Sequence, residues 1–200
     1  MQGAISLFPI PLFVSAHYAA DDEELHVLRG QEWTANRKGN FTSCDTYVLD
    51  CAPLQRLRAF LTEQLGHYCS AILGISEAEQ LRITQSWVNM NPPGSRHHAH
   101  DHPNSIVSGV YFVGGDTCPI EFLRPSRLFG SLSLRRSRRN VYNATSWKVT
   151  NAAGHVVLFP STLRHQVSAN EGSDPRYSLS FNSFARLPIG SERKLTELLP

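Results

Sequence analysis

The sequence contains little cysteine, no marked excess of either charge and no long apolar run. Its four cysteines show no C-x-x-C spacing and lack the density of a disulfide-stapled secreted domain, which favours a reducing, cytoplasmic location. The net charge of +2 is too small to indicate a nucleic-acid partner. No stretch approaches the roughly 18 to 20 apolar residues of a membrane helix, so we expect no membrane association.

The length and the hydrophobic pattern predict one domain over residues 1–200, because a single core can serve a chain of this size. Apolar residues recur at three- and four-residue steps from Leu54 to Leu73, which predicts an amphipathic helix. Ser191 to Leu199 is a second candidate helix. The predicted strands are Leu81 to Met90, Ser105 to Val113, Ile120 to Leu123, His155 to Phe159 and Tyr177 to Phe181. This order predicts a mainly β fold, a sandwich or barrel with flanking helices.

Four histidines crowd into the segment from Arg96 to Pro103. If this segment is extended, alternation places His98, His100 and His102 on one face and His97 on the other. Two imidazoles at positions i and i+2 can converge on one metal ion, and imidazole suits Fe, Zn, Cu and Ni. The alternative is a hydrated, histidine-rich surface loop.

A further histidine and an arginine lie downstream. His165 follows the apolar run that begins at His155, and Arg176 opens a strand in which Arg176, Ser178 and Ser180 share one face. A buried guanidinium needs a partner, and a dicarboxylate cosubstrate would provide one, since the planar fork of arginine matches a carboxylate. The alternatives are a surface arginine or an internal ion pair.

Several short motifs, taken in order, resemble a known family. They are Ser86-Trp-Val-Asn89, Gly94, His100-Asp-His-Pro-Asn-Ser105, Ser108-Gly-Val-Tyr-Phe112, Leu158-Phe-Pro-Ser161, His165-Gln-Val167 and Arg176-Tyr-Ser-Leu-Ser-Phe-Asn182. The chain is similar to phage and bacterial 2-oxoglutarate/Fe(II) oxygenases related to prolyl 4-hydroxylases. The opening Leu7-Phe-Pro-Ile-Pro-Leu12 extends the resemblance over nearly the whole sequence.

The resemblance implies a double-stranded β-helix, or jelly roll, with the active site between two sheets. It implies that His100, His102 and His165 are the metal ligands. It implies that Arg176 grips the far carboxylate of 2-oxoglutarate.

Other residues of the matching motifs have weaker implied roles. Ser178 would assist Arg176, Tyr111 would line the cosubstrate pocket, and Asn89 is a looser candidate for the same pocket. His98 is an alternative to His102 as the second ligand, because both lie two residues from His100.

The usual metal motif of the wider superfamily is H-x-D or H-x-E followed by a distal histidine, and neither H-x-D nor H-x-E occurs in this sequence. A histidine stands where the carboxylate is expected, so the metal site has one less negative charge. Affinity for Fe(II) and the geometry of the cosubstrate therefore do not carry over automatically from other members.

The resemblance implies an Fe(II)- and 2-oxoglutarate-dependent dioxygenase that uses O₂ to hydroxylate a substrate and releases succinate and CO₂. One alternative is a cupin-like three-histidine dioxygenase or isomerase without oxoglutarate. Another is a non-catalytic β-sandwich stabilised by zinc. The substrate, small molecule or protein, and the oligomeric state are not readable from the sequence. The segment 114–154, with Arg135, Arg136, Arg138 and Arg139, is a candidate cover for the site.

Overall fold

The computed structural model describes residues 3–76, 81–115, 118–126, 135–150, 152–186 and 188–199. Two α-helices lie in the first half of the chain: α1 at Asp22–Arg29 and α2 at Gln55–His67. The first five strands are β1 Phe13–Val14, β2 Trp33–Ala35, β3 Phe41–Ser43, β4 Leu81–Asn91 and β5 His97–His100. The later strands are β6 Val107–Gly114, β7 Ile120–Leu123, β8 Ser146–Val149, β9 Val156–Pro160, β10 His165–Val167 and β11 Arg176–Ala185.

The predicted amphipathic helix is confirmed by α2, which continues into a π-helical turn at Tyr68–Ile72. Its buried residues are leucines 57, 61 and 65, spaced at one helical turn, so one apolar stripe faces the sheet. Helix α1 is not among the predicted elements, because half of its eight residues are charged. A capping box between Asp21 and Glu24 fixes its start.

The strands form two antiparallel sheets. The seven-stranded sheet has the order β1-β9-β6-β11-β4-β3-β2, and the four-stranded sheet has the order β5-β10-β7-β8. Neighbours in the sheets are mostly non-consecutive in sequence, because the chain alternates between the two layers. This arrangement confirms the double-stranded β-helix.

The central strands of the larger sheet are buried on both faces. Each face contributes apolar side chains to its own cluster. In β9, Val156 and Leu158 pack toward the helices, while Val157 and Phe159 pack between the sheets. Gly109 on β6 lets the Phe181 ring pack directly against the backbone, because a Cβ atom at position 109 would lie 2.3 Å from that ring. The inter-sheet cluster fills one part of the interior and leaves the remainder to polar residues.

Two sequence predictions differ from the structure. The predicted helix at 191–199 is wrong, since only a 3₁₀ turn forms at Glu192–Lys194. Leu195, with a left-handed φ of 56°, ends that turn, and Leu198 returns to pair with Ile189. Segment 114–154 is not simply a covering loop, because it contributes β7 and β8 to the four-stranded sheet. Residues 127–134 lie outside the described part of the chain.

Candidate metal and cosubstrate site

A polar cavity lies between the two sheets, beside the inter-sheet apolar cluster. Its floor is the β4–β11 ladder, where residues of the two strands face each other in cross-strand pairs. These pairs are Arg176 with Asn91, Ser178 with Asn89, and Ser180 with Trp87, and all six residues line the cavity. Its opposite wall includes histidines from β5 and β10. The period-two pattern of each floor strand therefore sends one polar set inward.

Three histidines meet in this cavity: His100 at the end of β5, His102 two residues later, and His165 at the start of β10. Their ligand nitrogens lie within 4.8 Å of one another. The ring centroids of His100 and His165, which pair across β5 and β10, are 4.4 Å apart. The structure thus brings together all three predicted ligands in a group that can hold a metal ion.

Backbone carbonyls orient two of these rings. Nδ1 of His100 lies 2.8 Å from the carbonyl oxygen of His98, and Nδ1 of His165 lies 3.0 Å from that of Leu163. A carbonyl can only accept, so each Nδ1 is the donor in the neutral ring. The Nε2 lone pair of each ring is then free for a metal, the arrangement usual for histidine ligands.

A network of serines fixes the backbone of His102. The His102 amide donates to the carbonyl of Ser161 at 3.0 Å. The Ser161 hydroxyl in turn lies 2.7 Å from that of Ser105 and 2.8 Å from that of Ser108. Ser108 also donates to the side chain of Asn182 at 2.9 Å. Four residues of the quoted motifs, Ser105, Ser108, Ser161 and Asn182, therefore help to position His102 through this hydrogen-bond network.

Burial keeps the clustered imidazoles neutral. Burial, together with a smaller effect of the neighbouring histidines, lowers the pKa of His165 to about 3 and that of His102 to about 4. It also lowers the pKa of His100. Neutral imidazole is the form that binds a metal ion.

His97 does not follow the predicted alternation. In the β5–β10 pairing, His100 faces His165 while His97 faces Val167, so three steps on β5 match two on β10. This β-bulge adds one residue and turns His97 to the same side as His100. As a result His97 lines the cavity, whereas His98 does not.

Arg176 is buried in the floor with only 3% of its surface exposed. Its guanidinium carbon lies 5.0 Å from the centre of the Phe112 ring. Within the described residues, its Nη2 has no hydrogen-bond partner. Burial lowers the pKa of Arg176 to about 10, so the side chain remains charged near neutral pH. An unpaired buried donor of this kind indicates room for an anionic ligand.

The amides beside Arg176 are also incompletely paired. Asn89 donates to the Ser180 hydroxyl at 2.9 Å, but its Oδ1 has no partner in the described chain. Both side-chain atoms of the fully buried Asn91 lack partners there as well. Asn91 was missed at the sequence level, although the spacing of Trp87, Asn89 and Asn91 at every second residue places them on one face.

Tyr111 lies away from the cavity, contrary to the expectation for the cosubstrate pocket. Its side chain packs in the cluster under the helices, and its hydroxyl donates to the Tyr18 carbonyl at 3.2 Å. Its neighbour on β6, Val110, lines the cavity instead. Alternation along the strand places the two side chains on opposite faces of the sheet.

The arginine cluster, residues 135, 136, 138 and 139, is exposed and does not line the cavity. The Arg139 guanidinium lies 5.6 Å from the centre of the half-exposed Trp147 ring. The preceding residues 127–134 are not described. Among the described helices, none has the length and apolar content needed to cross a bilayer.

Comparison with known proteins shows which family the site-bearing part of the chain resembles. Residues 85–182 match the family described as "Putative 2OG-Fe(II) oxygenase". The match begins in β4 and ends in β11, so it contains both floor strands' cavity residues and all three histidines. No curated protein sequence matches the chain significantly.

Solved structures share the fold at low sequence identity. An oxidoreductase of the 2OG-Fe(II) oxygenase family from Burkholderia pseudomallei is 14% identical, with a TM-score of 0.60 over 86% of this chain and 83% of that one. HygX from Streptomyces hygroscopicus, solved with nickel, 2-oxoglutarate and hygromycin B, is 12% identical with a TM-score of 0.56 over 87% and 82%. A Pseudomonas putida prolyl-4-hydroxylase is 17% identical with a TM-score of 0.53 over 89% and 94%.

Proposed function

Because residues 85–182 match the family described as "Putative 2OG-Fe(II) oxygenase", we propose that this protein hydroxylates an organic substrate with O₂ and 2-oxoglutarate, releasing succinate and CO₂. The observation that carries the proposal is the pairing of two features in one cavity. A group of three histidines stands opposite a buried arginine whose Nη2 has no partner within the described chain. The histidines suit Fe(II), and the arginine suits a carboxylate of 2-oxoglutarate.

The three histidines would hold Fe(II) through their free ring nitrogens. His100 and His165 present Nε2 because a carbonyl engages Nδ1, and His102 is held by the serine network behind it. Three neutral ligands leave coordination positions open, as an oxygenase requires. They also bring no negative charge, so only the carboxylate beside the keto group of the cosubstrate would supply an anionic partner of the ion.

Arg176 would bind the far carboxylate of 2-oxoglutarate. Its Nη2 can donate to a carboxylate oxygen, and Ser178 and Asn91 lie on the same floor with a hydroxyl and an amide available. A charge-assisted bond made in a buried site contributes about 1.5–3 kcal/mol. That range corresponds to roughly 10- to 150-fold in affinity.

The chemistry divides between the bound groups and the chain. Fe(II), when bound, supplies the activation of O₂ that breaks a C–H bond. The chain holds the ligands, orients the cosubstrate along the β4–β11 floor, and excludes water with the apolar cluster beside the cavity. The substrate is an organic molecule that reaches this cavity, and its class is not fixed by the residues described. A cytoplasmic location is part of the proposal, on the strength of the sparse cysteines.

A three-histidine dioxygenase that works without oxoglutarate is the second candidate, and the all-histidine ligand set favours it. Such an enzyme would not need a buried arginine with a free donor on the cavity floor. A zinc-stabilised module without catalytic activity would fit a closed, cysteine-rich site better. The groups of potential ligands found in the described chain contain histidine alone.

The test is an anaerobic titration of the Fe(II)-loaded protein with 2-oxoglutarate, followed by the visible metal-to-ligand charge-transfer band. We expect a band for the wild type and for Arg135→Ala, an exposed arginine that serves as the control. We expect none for His165→Ala and a much weaker affinity for Arg176→Ala. Iron binding without a band would favour the oxoglutarate-independent dioxygenase, and absence of iron binding would exclude both enzymes.

A further inference from the structure

His100 belongs to two groups of histidines rather than one. Besides the group with His102 and His165, it forms a second group with His97 and His98, whose ligand nitrogens also lie within 4.8 Å of one another. The His97 and His100 rings are stacked, with centroids 4.5 Å apart. The His98 ring centroid lies 5.0 Å from that of His97 and 5.4 Å from that of His100. Five imidazoles therefore form one continuous cluster.

The bulge in β5 creates this second group. A regular strand would send His97 to the face opposite His98 and His100, but the extra residue turns His97 back toward His100. In the described chain, Nδ1 of His98 is buried without a hydrogen-bond partner. Nε2 of His97 has only a long contact of 3.3 Å, to the side-chain nitrogen of Asn36. Both rings thus have a nitrogen that a metal ion could use at little cost in lost hydrogen bonds.

From this geometry we infer that His97, His98 and His100 form a second metal-binding set, the outer set, which takes a divalent cation that prefers imidazole. Iron, zinc, nickel and copper are ions of this class. The first group, His100, His102 and His165, is the inner set. All three residues of the outer set are partly exposed, whereas His165 of the inner set is buried. The outer set is therefore the more accessible to an ion arriving from solvent. The inference concerns metal binding alone and does not require oxoglutarate chemistry.

The two sets exclude each other. Nδ1 of His100 donates to the His98 carbonyl, so His100 has one nitrogen left for a metal. An ion held by the outer set takes His100 away from His102 and His165, and an ion in the inner set takes it away from His97 and His98. The chain consequently binds one ion at a time at this cluster, in either of two positions.

The experiment measures zinc binding by isothermal titration calorimetry in the absence of 2-oxoglutarate. We expect one zinc for the wild type and still one for His165→Ala, which retains the outer set. Adding His98→Ala to His165→Ala should weaken this remaining binding by roughly 100-fold, because the outer set then loses a ligand as well. His98→Ala alone should change zinc affinity less than about 3-fold, since the inner set is intact.

His165→Ala combined with His26→Ala, an exposed histidine on α1, is the matched control and should bind like His165→Ala alone. If His98→Ala fails to fold by circular dichroism, His97→Ala replaces it with the same expectations. Loss of all zinc binding in His165→Ala would overturn the inference. An unchanged zinc affinity when the outer-set substitution is added to His165→Ala would overturn it too. Failure of the proposed oxoglutarate chemistry would instead appear as iron binding without a charge-transfer band and would leave these zinc titrations unchanged.

Discussion

The two faces of the β4–β11 ladder differ sharply although the same ten-residue pairing builds both. On the helix face, Val88, Leu179 and Phe181 are fully buried in the cluster with the leucines of α2. On the cavity face, Arg176 and Asn91 are buried with polar atoms that lack partners in the described chain. The packing of the first face is complete within the chain, whereas a bound ligand would supply the partners that polar atoms of the second face lack. Substitutions on the two faces should therefore act on different quantities, stability for one and ligand binding for the other.

The largest effect on turnover is expected at the three histidines proposed to bind the metal. His165→Ala removes a ligand, and turnover should fall by at least about 100-fold, since even the loss of a residue supporting a ligand costs 10- to 100-fold. The measurement is succinate formation together with bound iron by elemental analysis. His26→Ala, an exposed histidine outside the site, should leave both unchanged. A His165→Ala variant that kept full iron content and turnover would remove His165 from the proposed ligand set.

On the helix face, Leu179→Ala should lower the free energy of unfolding by about 2–5 kcal/mol, because it leaves a cavity in a fully packed cluster. Urea unfolding measures this change. Ser178→Ala, the adjacent residue on the cavity face, is the matched comparison and should change unfolding by less than about 1 kcal/mol. The contrast between the faces breaks down if Ser178→Ala proves as destabilising as Leu179→Ala.

On the cavity face, Arg176→Met should weaken 2-oxoglutarate binding by roughly 100-fold through the loss of a charge-assisted bond. It should not lower the melting temperature of the protein without ligands, because it removes a buried charge whose Nη2 has no partner. Oxoglutarate titration and thermal unfolding measure the two effects. Arg135→Met, at an exposed site, should change neither. A large fall in melting temperature for Arg176→Met would instead indicate that Arg176 is satisfied within the chain.

The smallest effect is a dependence of stability on pH in the metal-free protein. Burial lowers the pKa of His165 to about 3 and of His102 to about 4, against about 6.5 in an unfolded chain. Between these values the unfolded chain binds more protons than the folded one, so stability falls as the pH falls. The melting temperature should therefore decrease from pH 7 toward pH 5, and less steeply in His165→Gln. A flat profile in the wild type would contradict the lowered pKa values.

The sequence predicted the strands better than the orientation of individual side chains. Strands with alternating or continuous apolar residues, such as Ile120–Leu123, were located from periodicity alone. Arg176 and Ser178 fall on the predicted face of β11, because polar and apolar residues alternate there. In β6 both faces are buried and nearly every residue is apolar, so no alternation reveals that Tyr111 points toward the helices.

The bulge in β5 was equally invisible in the sequence. A bulge arises from the pairing of two strands that are distant in the chain, and the residue letters His97-His-Ala-His100 give no sign of it. The sequence likewise does not show which polar residues of β4 and β11 lie opposite each other. Nothing in the sequence shows that Asn91 and Arg176 face each other, since their contact depends on a register set by the whole ladder.

The β4–β11 register also implies that the cavity floor forms late in folding. The hydrogen bond from Asn89 to Ser180 on the cavity floor joins residues 91 positions apart, and contacts of such long range form only after much chain entropy has been lost. A truncated or partly folded chain without β11 would lack half of the floor. Metal and cosubstrate would then bind the finished fold selectively and shift the folding equilibrium toward it. Iron binding would thus be a measure of how much of the protein has formed the complete β4–β11 ladder.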